Sequence, residues 1–203
     1  VECEQKGKRE QSIEGCGGRH GYDRILNPSV WMPYVDQAEK YALDLLRAKP
    51  CPSGKMTVVV DSGLGGVLLH EAVGHCLEGD GVWRKESVLG DKMGTRIGSE
   101  LVTVVDDGTL PNRRGSLSVD DEGVPTERTL LIDKGMLVGF MHNRQSAHLL
   151  GGKSTGSGRR ESYEFPTQVR MRNTFMLSGE HTHDEIIRAT DEGGIFIPSF
   201  GGG

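Results

Sequence analysis

Two imidazoles bracket a carboxylate at His70-Glu71-Ala72-Val73-Gly74-His75, and the run continues Cys76-Leu77-Glu78-Gly79-Asp80. The segment follows an apolar stretch, Gly65-Gly66-Val67-Leu68-Leu69. Neutral imidazole is a common zinc ligand. Zinc lowers the pKa of a bound water toward neutrality, where a nearby carboxylate can take its proton. These residue types are what a hydrolytic zinc site needs, and they point to a metallopeptidase.

The spacing constrains how such a site is built. The common helical zinc motif is H-E-x-x-H, with histidines four apart on one face. Here they are five apart. Five residues of regular α-helix turn about 500°, leaving the two side chains roughly 140° apart. A π-bulge, with its i→i+5 hydrogen bond, restores them to one face. Gly74 lies between them and lowers the steric cost of a distortion. The expectation is an irregular turn near Gly74, or a metal bound where the helix ends. Glu71 adds weight, because an unpaired carboxylate is costly to bury beside an apolar helix. Cys76 follows His75 directly and points about 100° away on a helix, which disfavours it as a further ligand.

The elements that must position this segment are partly legible. Residues 1–21 read as one or two exposed strands ending in a Gly cluster. Residues 31–49 carry apolar side chains at Trp31, Tyr34, Val35, Ala38, Tyr41, Ala42, Leu45 and Leu46. That period is helical, the stripe reads as core packing, and Pro50-Cys51-Pro52-Ser53-Gly54 ends it. Residues 56–60 form a β-branched run, read as a buried strand. Asp61 or Ser62 is the N-cap candidate of the following helix. Its glycines, Gly63, Gly65 and Gly66, fit close packing on a sheet. Leu68 occupies the last position of the G-x-G-x-x-G dinucleotide pattern, which therefore fails.

Residues 80–98 are rich in Gly, Lys and Arg and read as a mobile loop beside the site. Residues 101–105 read as a strand. Asp106-Asp107-Gly108 and Asp120-Asp121-Glu122-Gly123 read as solvated turns, since the second lacks the ligand spacing of a calcium loop. Residues 130–141 are a hairpin signal around Asp133-Lys134-Gly135. Asn143 is a candidate cap for a helix through Leu150. Residues 151–160 read as mobile, and Gly152-Lys153-Ser154-Thr155 fails as a P-loop because Ala147 stands where the first Gly is needed. Residues 169–176 read as a strand. Thr182-His183-Asp184-Glu185 is a capping box, which accounts for His181 and His183 without a metal. Residues 195–197 read as a final strand. Strands outnumber helices and do not alternate with them. The class is therefore α+β, with a largely antiparallel sheet and the metal-site helix packed on it.

Composition narrows the function classes. Hydrophobic residues make up 35% and aromatics 5% of the 203 residues, with 30 glycines. That lean, Gly-rich balance fits a piece of a larger protein better than a self-contained domain. The net charge of −5 is spread along the chain, so no basic block argues for nucleic acid. The four cysteines, Cys3, Cys16, Cys51 and Cys76, show no C-x-x-C spacing and fit reduced thiols of a cytoplasmic protein. No apolar run is long enough to span a bilayer.

The motif segment resembles the TldD/PmbA metallopeptidase family, whose members carry HExxxH followed by a Leu-Glu-Gly-Asp-like tail. The likeness continues through Arg9-Glu10-Gln11, the Gly-rich residues 15–21, Asn112-Arg113-Arg114-Gly115-Ser116, Gly156-Ser157-Gly158-Arg159-Arg160-Glu161-Ser162-Tyr163, Arg172-Asn173-Thr174-Phe175-Met176 and Phe200-Gly201-Gly202-Gly203. HExxxH points to the TldD-like, catalytic branch. The resemblance implies zinc on His70 and His75, with Glu71 as general base. The third ligand it implies is a cysteine in a Gly-rich segment beyond Gly203. It also implies that residues 1–203 are part of the C-terminal catalytic domain, without the N-terminal domain and the C-terminal end. Short or unfolded peptides would be the substrates and a TldE/PmbA-like subunit the partner. A sheet-rich chamber suits extended peptides, and Arg159, Arg160 and Tyr163 are candidate peptide contacts. The alternative is a non-catalytic modulator or scaffold, since the family is linked to DNA gyrase and to toxin–antitoxin systems.

Overall fold

The computed structural model describes residues 1–190 and 193–198, so the Phe200-Gly201-Gly202-Gly203 motif lies outside the described residues. The chain opens with an antiparallel hairpin of β1 (Glu2–Gln5) and β2 (Lys8–Gln11), turning at Lys6 and Gly7 with positive φ. One helical turn, α1 (Tyr22–Ile25), leads into α2 (Pro28–Arg47). Asn27 caps α2 by accepting from the Ser29 amide, and Pro28 takes the first position, where its missing N–H costs nothing. The helix therefore starts earlier than the apolar period alone indicates.

Its stripe is not a core. Only Ala38 and Ala42 are buried, while Trp31, Tyr34, Val35 and Leu45 stay exposed. The reason is the narrow cover: within the described residues α2 packs on α1 and on the β1–β2 hairpin, whose Lys8 Nζ donates to the Leu45 carbonyl at 2.6 Å.

β3 (Val58–Val60) is half-buried, with Val58 exposed, so the expectation of a buried strand holds only for part of it. Asp61 caps α3 (Ser62–Leu69) by accepting from the Ser62 amide at 2.7 Å. Among the described residues nothing lies within reach of a Cβ on Gly63, Gly65 or Gly66, so close packing on a sheet does not explain these glycines. A π turn at His70–Gly74 and a 3₁₀ turn at His75–Leu77 then lead to α4 (Gly79–Trp83).

β4 (Val104–Asp107), β5 (Arg128–Asp133) and β6 (Met136–Leu137) follow, then α5 (Arg144–Leu150), β7 (Gly158–Arg159), β8 (Gln168–Val169), β9 (Thr174–Met176), α6 (His183–Arg188) and β10 (Ile195–Ile197). The main sheet runs β6-β5-β4-β9 and is antiparallel throughout. β7 pairs antiparallel with β8, and among the strand pairs of the described residues β3–β10 is the parallel one. The architecture is α+β with a largely antiparallel sheet, as expected. The core gathers Val104, Leu131, Ile132 and Leu137 of the sheet with Leu69, Leu77, Val82, Phe140, Met141 and Val169. Leu69 and Leu77 flank the histidine turn, so the sheet anchors both ends of the segment between them.

The local caps behave as read. Asn143 and Thr182 both form capping boxes, and Lys134 and Gly135 turn the β5–β6 hairpin with φ of 46° and 79°. His183 packs edge-on against Phe196 at 5.4 Å. Among the described residues no helix is long and apolar enough to cross a membrane.

Several loop readings are overturned. Residues 80–98 are pinned: the Gly94 amide donates to Leu137 O, Leu137 returns a bond to Thr95 O, and Ile97 donates to Gly135 O. In residues 151–160, Thr155, Gly156, Ser157 and Gly158 are buried, and Thr155 donates to the His142 carbonyl at 3.1 Å. Asp106 and Asp107 are not a solvated turn but the end of β4. Asp120 is buried in its turn, where it accepts from the amides of Glu122, Val124 and Gly158.

The strand expected over 169–176 is broken between β8 and β9, because Arg172 turns inward to Asp106. Both side chains are fully buried, with Nε donating to Oδ2 at 2.7 Å. Arg172 also donates to Thr155 O at 2.8 Å and to Thr129 Oγ1 at 3.1 Å. Its backbone amide bonds Asp106 Oδ1, which Thr174 Oγ1 reaches too. A charge pair this deep is tolerated because nearly every donor and acceptor is used. Sequence patterning gives no sign of it, since the two residues lie 66 positions apart.

Candidate metal centre

In the π turn the His75 amide donates to the His70 carbonyl, the i→i+5 bond that the spacing calls for. The extra residue is absorbed in one turn, and the two rings end up on one face. Their centroids are 4.7 Å apart with planes at 82°. Gly74 is buried at φ −57°, an ordinary helical value. Its role is room, not conformational freedom: a Cβ there would collide with Met171 Sδ.

The ligand-capable atoms of His70, Glu71 and His75 all lie within 4.8 Å of one another. Glu71 Oε2 is 3.9 Å from His75 Nε2. All three residues are exposed, with Glu71 at 67% of its side chain and His75 at 41%. The sequence argument from a buried Glu71 therefore fails, and the case for a metal rests on convergence. Two imidazoles and a carboxylate so placed fit zinc by donor type. Among the described residues no cysteine joins the cluster. Cys76 is half-buried with its thiol toward the Ala72 carbonyl at 3.8 Å, turned aside as its position next to His75 implies.

Sequence reasoning missed Glu78. It is 5% exposed, and its Oε2 lies 3.1 Å from His75 Nδ1 and 3.4 Å from Arg170 Nη1. Burial raises its carboxyl above the usual carboxylate range, against the pull of His75 and Arg170. The available signal was a carboxylate three residues after a candidate ligand, one helical turn away. Asp80 is also buried, accepting from the Gly81 amide at 2.9 Å and the Val169 amide at 3.1 Å. The strand β8 is thereby tied to the centre.

The candidate peptide contacts are not members of the cluster. Arg159 in β7 approaches Asp121 at 3.9 Å. Arg160 is engaged by its own loop, through Phe165 O at 3.0 Å. Tyr163 is 88% exposed, its hydroxyl on Glu164.

Residues 53–203 match the profile of the PmbA/TldA metallopeptidase C-terminal domain. The chain belongs to the PmbA/TldD metallopeptidase family. A TldD-homologue metalloprotease of Haemophilus influenzae is 45% identical over the whole chain, which spans 43% of that protein. A metalloprotease of Methanocaldococcus jannaschii is 41% identical over 99% of the chain and is covered over 44% of its own length. The chain thus spans less than half the length of these curated relatives. TldE from Thermococcus kodakarensis shares the fold, with a TM-score of 0.76 and 23% identity over 94% of this chain and 42% of that one. A Thermotoga maritima protein proposed as a modulator of a DNA gyrase has a TM-score of 0.66 and 28% identity, over 76% of this chain and 35% of that one.

Proposed function

We propose that the chain is the catalytic part of a zinc-dependent peptidase that hydrolyses short or unfolded peptides in the cytoplasm. His70 and His75 hold the metal and Glu71 is the general base. The third protein ligand is a cysteine from outside residues 1–203. The partner is a TldE/PmbA-like subunit, and neither membrane nor nucleic acid takes part. All of residues 1–203 count as one portion of the catalytic domain. Support for including residues 1–52 is the bond from the Arg19 amide to Asn112 O at 3.1 Å, which ties them to the later chain.

The observation that carries the reading is the π turn that gathers two imidazoles and a carboxylate within 4.8 Å. When bound, zinc would acidify a water and polarise the scissile carbonyl. Glu71, free of strong partners in the cluster and open to solvent, takes the water's proton and delivers it to the leaving amine. His70 and His75 present ring nitrogens from a turn anchored at Leu69 and Leu77. Arg159, Arg160 and Tyr163 line the approach of an extended peptide.

The test is metal analysis and peptide hydrolysis by the intact protein with its co-purifying subunit. Zinc bound stoichiometrically, with hydrolysis lost in Glu71→Gln, supports the reading. The modulator reading draws on the Thermotoga maritima relative and expects no hydrolysis by wild type and no effect of Glu71→Gln on partner binding.

A further inference from the structure

We propose that Glu78 is the positioning residue of the centre: it accepts a hydrogen bond from His75 Nδ1–H and so leaves the Nε2 lone pair on the side of Glu71. The inference rests on the metal-centre reading above and adds a residue to it. Neutral imidazole carries one proton, and the bond made by one nitrogen decides which lone pair is free. His75 Nδ1 is 3.1 Å from Glu78 Oε2, while Nε2 is the atom turned to Glu71. With a carboxylate at Nδ1, the proton belongs there and Nε2 is the ligand.

The backbone of Glu78 is fixed independently of the histidine. It forms a parallel bridge with Met141, and the Gly79 amide donates to Met141 O at 2.8 Å. The chain passes so close that a Cβ on Gly79 would collide with the His142 ring. The side chain then reaches back one turn to His75, and Arg170 reaches the same oxygen from beyond β8.

Stability does not account for this arrangement. Among the described residues, Glu78 Oε1 is the buried side-chain atom with no hydrogen-bond partner. An unpaired oxygen on a buried carboxylate costs folding free energy, so an apolar residue would serve the fold better. What the carboxylate does supply is a fixed ring and tautomer, the service that outer carboxylates give metal-ligating histidines.

The experiment uses the intact protein, metal-free and zinc-loaded, with Glu78→Gln and Glu78→Ala. Side-chain ¹⁵N NMR of the metal-free wild type is expected to show His75 as the Nδ1–H tautomer. Both variants are expected to lose that preference and to bind zinc about 10- to 100-fold more weakly, with the backbone amide spectrum otherwise kept. Arg170→Ala, which leaves the His75 bond in place, is expected to keep the tautomer. An Nε2–H tautomer in wild type overturns the proposal even if the variants fail to fold. So does unchanged tautomer and zinc affinity in folded variants. A wild type that binds no zinc refutes the metal centre instead, and the tautomer comparison still judges Glu78.

Discussion

His70, Glu71 and His75 are open to solvent, whereas the side chains of Asp106 and Arg172 expose nothing at all. Both regions bring charged or ligating groups together, and they are held in opposite ways. At the histidine turn, position comes from the backbone: a π turn clamped between two core leucines. At the Asp106–Arg172 junction, position comes from the side chains themselves, each using most of its hydrogen-bonding groups across β4, β5, β9 and the 155–156 segment. The exposed cluster is free to take a ligand. The buried pair has little capacity left and serves to join strands.

This contrast is broken most severely at the junction. Arg172→Met is expected to strand a buried carboxylate and cost about 3–5 kcal/mol. Denaturant unfolding of the intact protein measures this, and a loss below about 1 kcal/mol would mean the junction is not what holds the strands. His70→Ala or His75→Ala should abolish metal binding. His70→Ala should change metal-free stability by no more than about 0.5 kcal/mol, as for an exposed surface change, whereas His75→Ala takes a partner from the buried Glu78 carboxylate and should cost about 1–3 kcal/mol. Full zinc occupancy in either variant would remove that residue from the ligand set.

Glu71→Gln sharpens the comparison within the cluster. It should keep the metal and lower peptide hydrolysis about 10²- to 10⁴-fold. Wild-type turnover by the loaded variant would end the general-base assignment. Gly74→Ala probes the clamp itself. The clash is with the far end of the flexible Met171 side chain, so displacing it should cost only about 1 kcal/mol, the low end for overpacking, with a small loss of metal binding. Stability and affinity that both stay unchanged would show that the turn tolerates the extra methyl.

The smallest effect concerns His142, 9% exposed beneath α5, with Nδ1 3.2 Å from Ser146 Oγ. Burial lowers its pKa below the ordinary 6.5, so the unfolded chain binds more protons below that pH. Its contribution is fully present above pH 6.5 and is lost as pH falls, with a slope no steeper than about 1.4 kcal/mol per pH unit. Unfolding curves between pH 7 and 5 should show the decline in wild type and a flatter profile in His142→Gln. Parallel profiles would place the decline on other groups.

The short-range features were legible in the sequence because their causes are local. The five-residue spacing of His70 and His75 means that a regular helix cannot bring both to one ion, which calls for an irregular turn or a metal at the helix end. Asn143 and Thr182 each announce a cap within three residues, and Lys134-Gly135 announces its turn. The antiparallel bias follows from short strands punctuated by turn residues. Tertiary structure decided the rest. Nothing local tells that Asp106 meets Arg172, so an Asp-Asp-Gly that reads as a turn becomes the buried end of a strand. Gly-rich residues 151–160 look mobile until the His142 carbonyl and the Asp120 carboxylate bind their amides. The stripe of α2 has the pattern of a core face, but burial needs a covering surface, which periodicity does not supply. Glu78 lies in plain view beside the motif, yet its bond to His75 exists only because the bridge to Met141 fixes where its backbone turns.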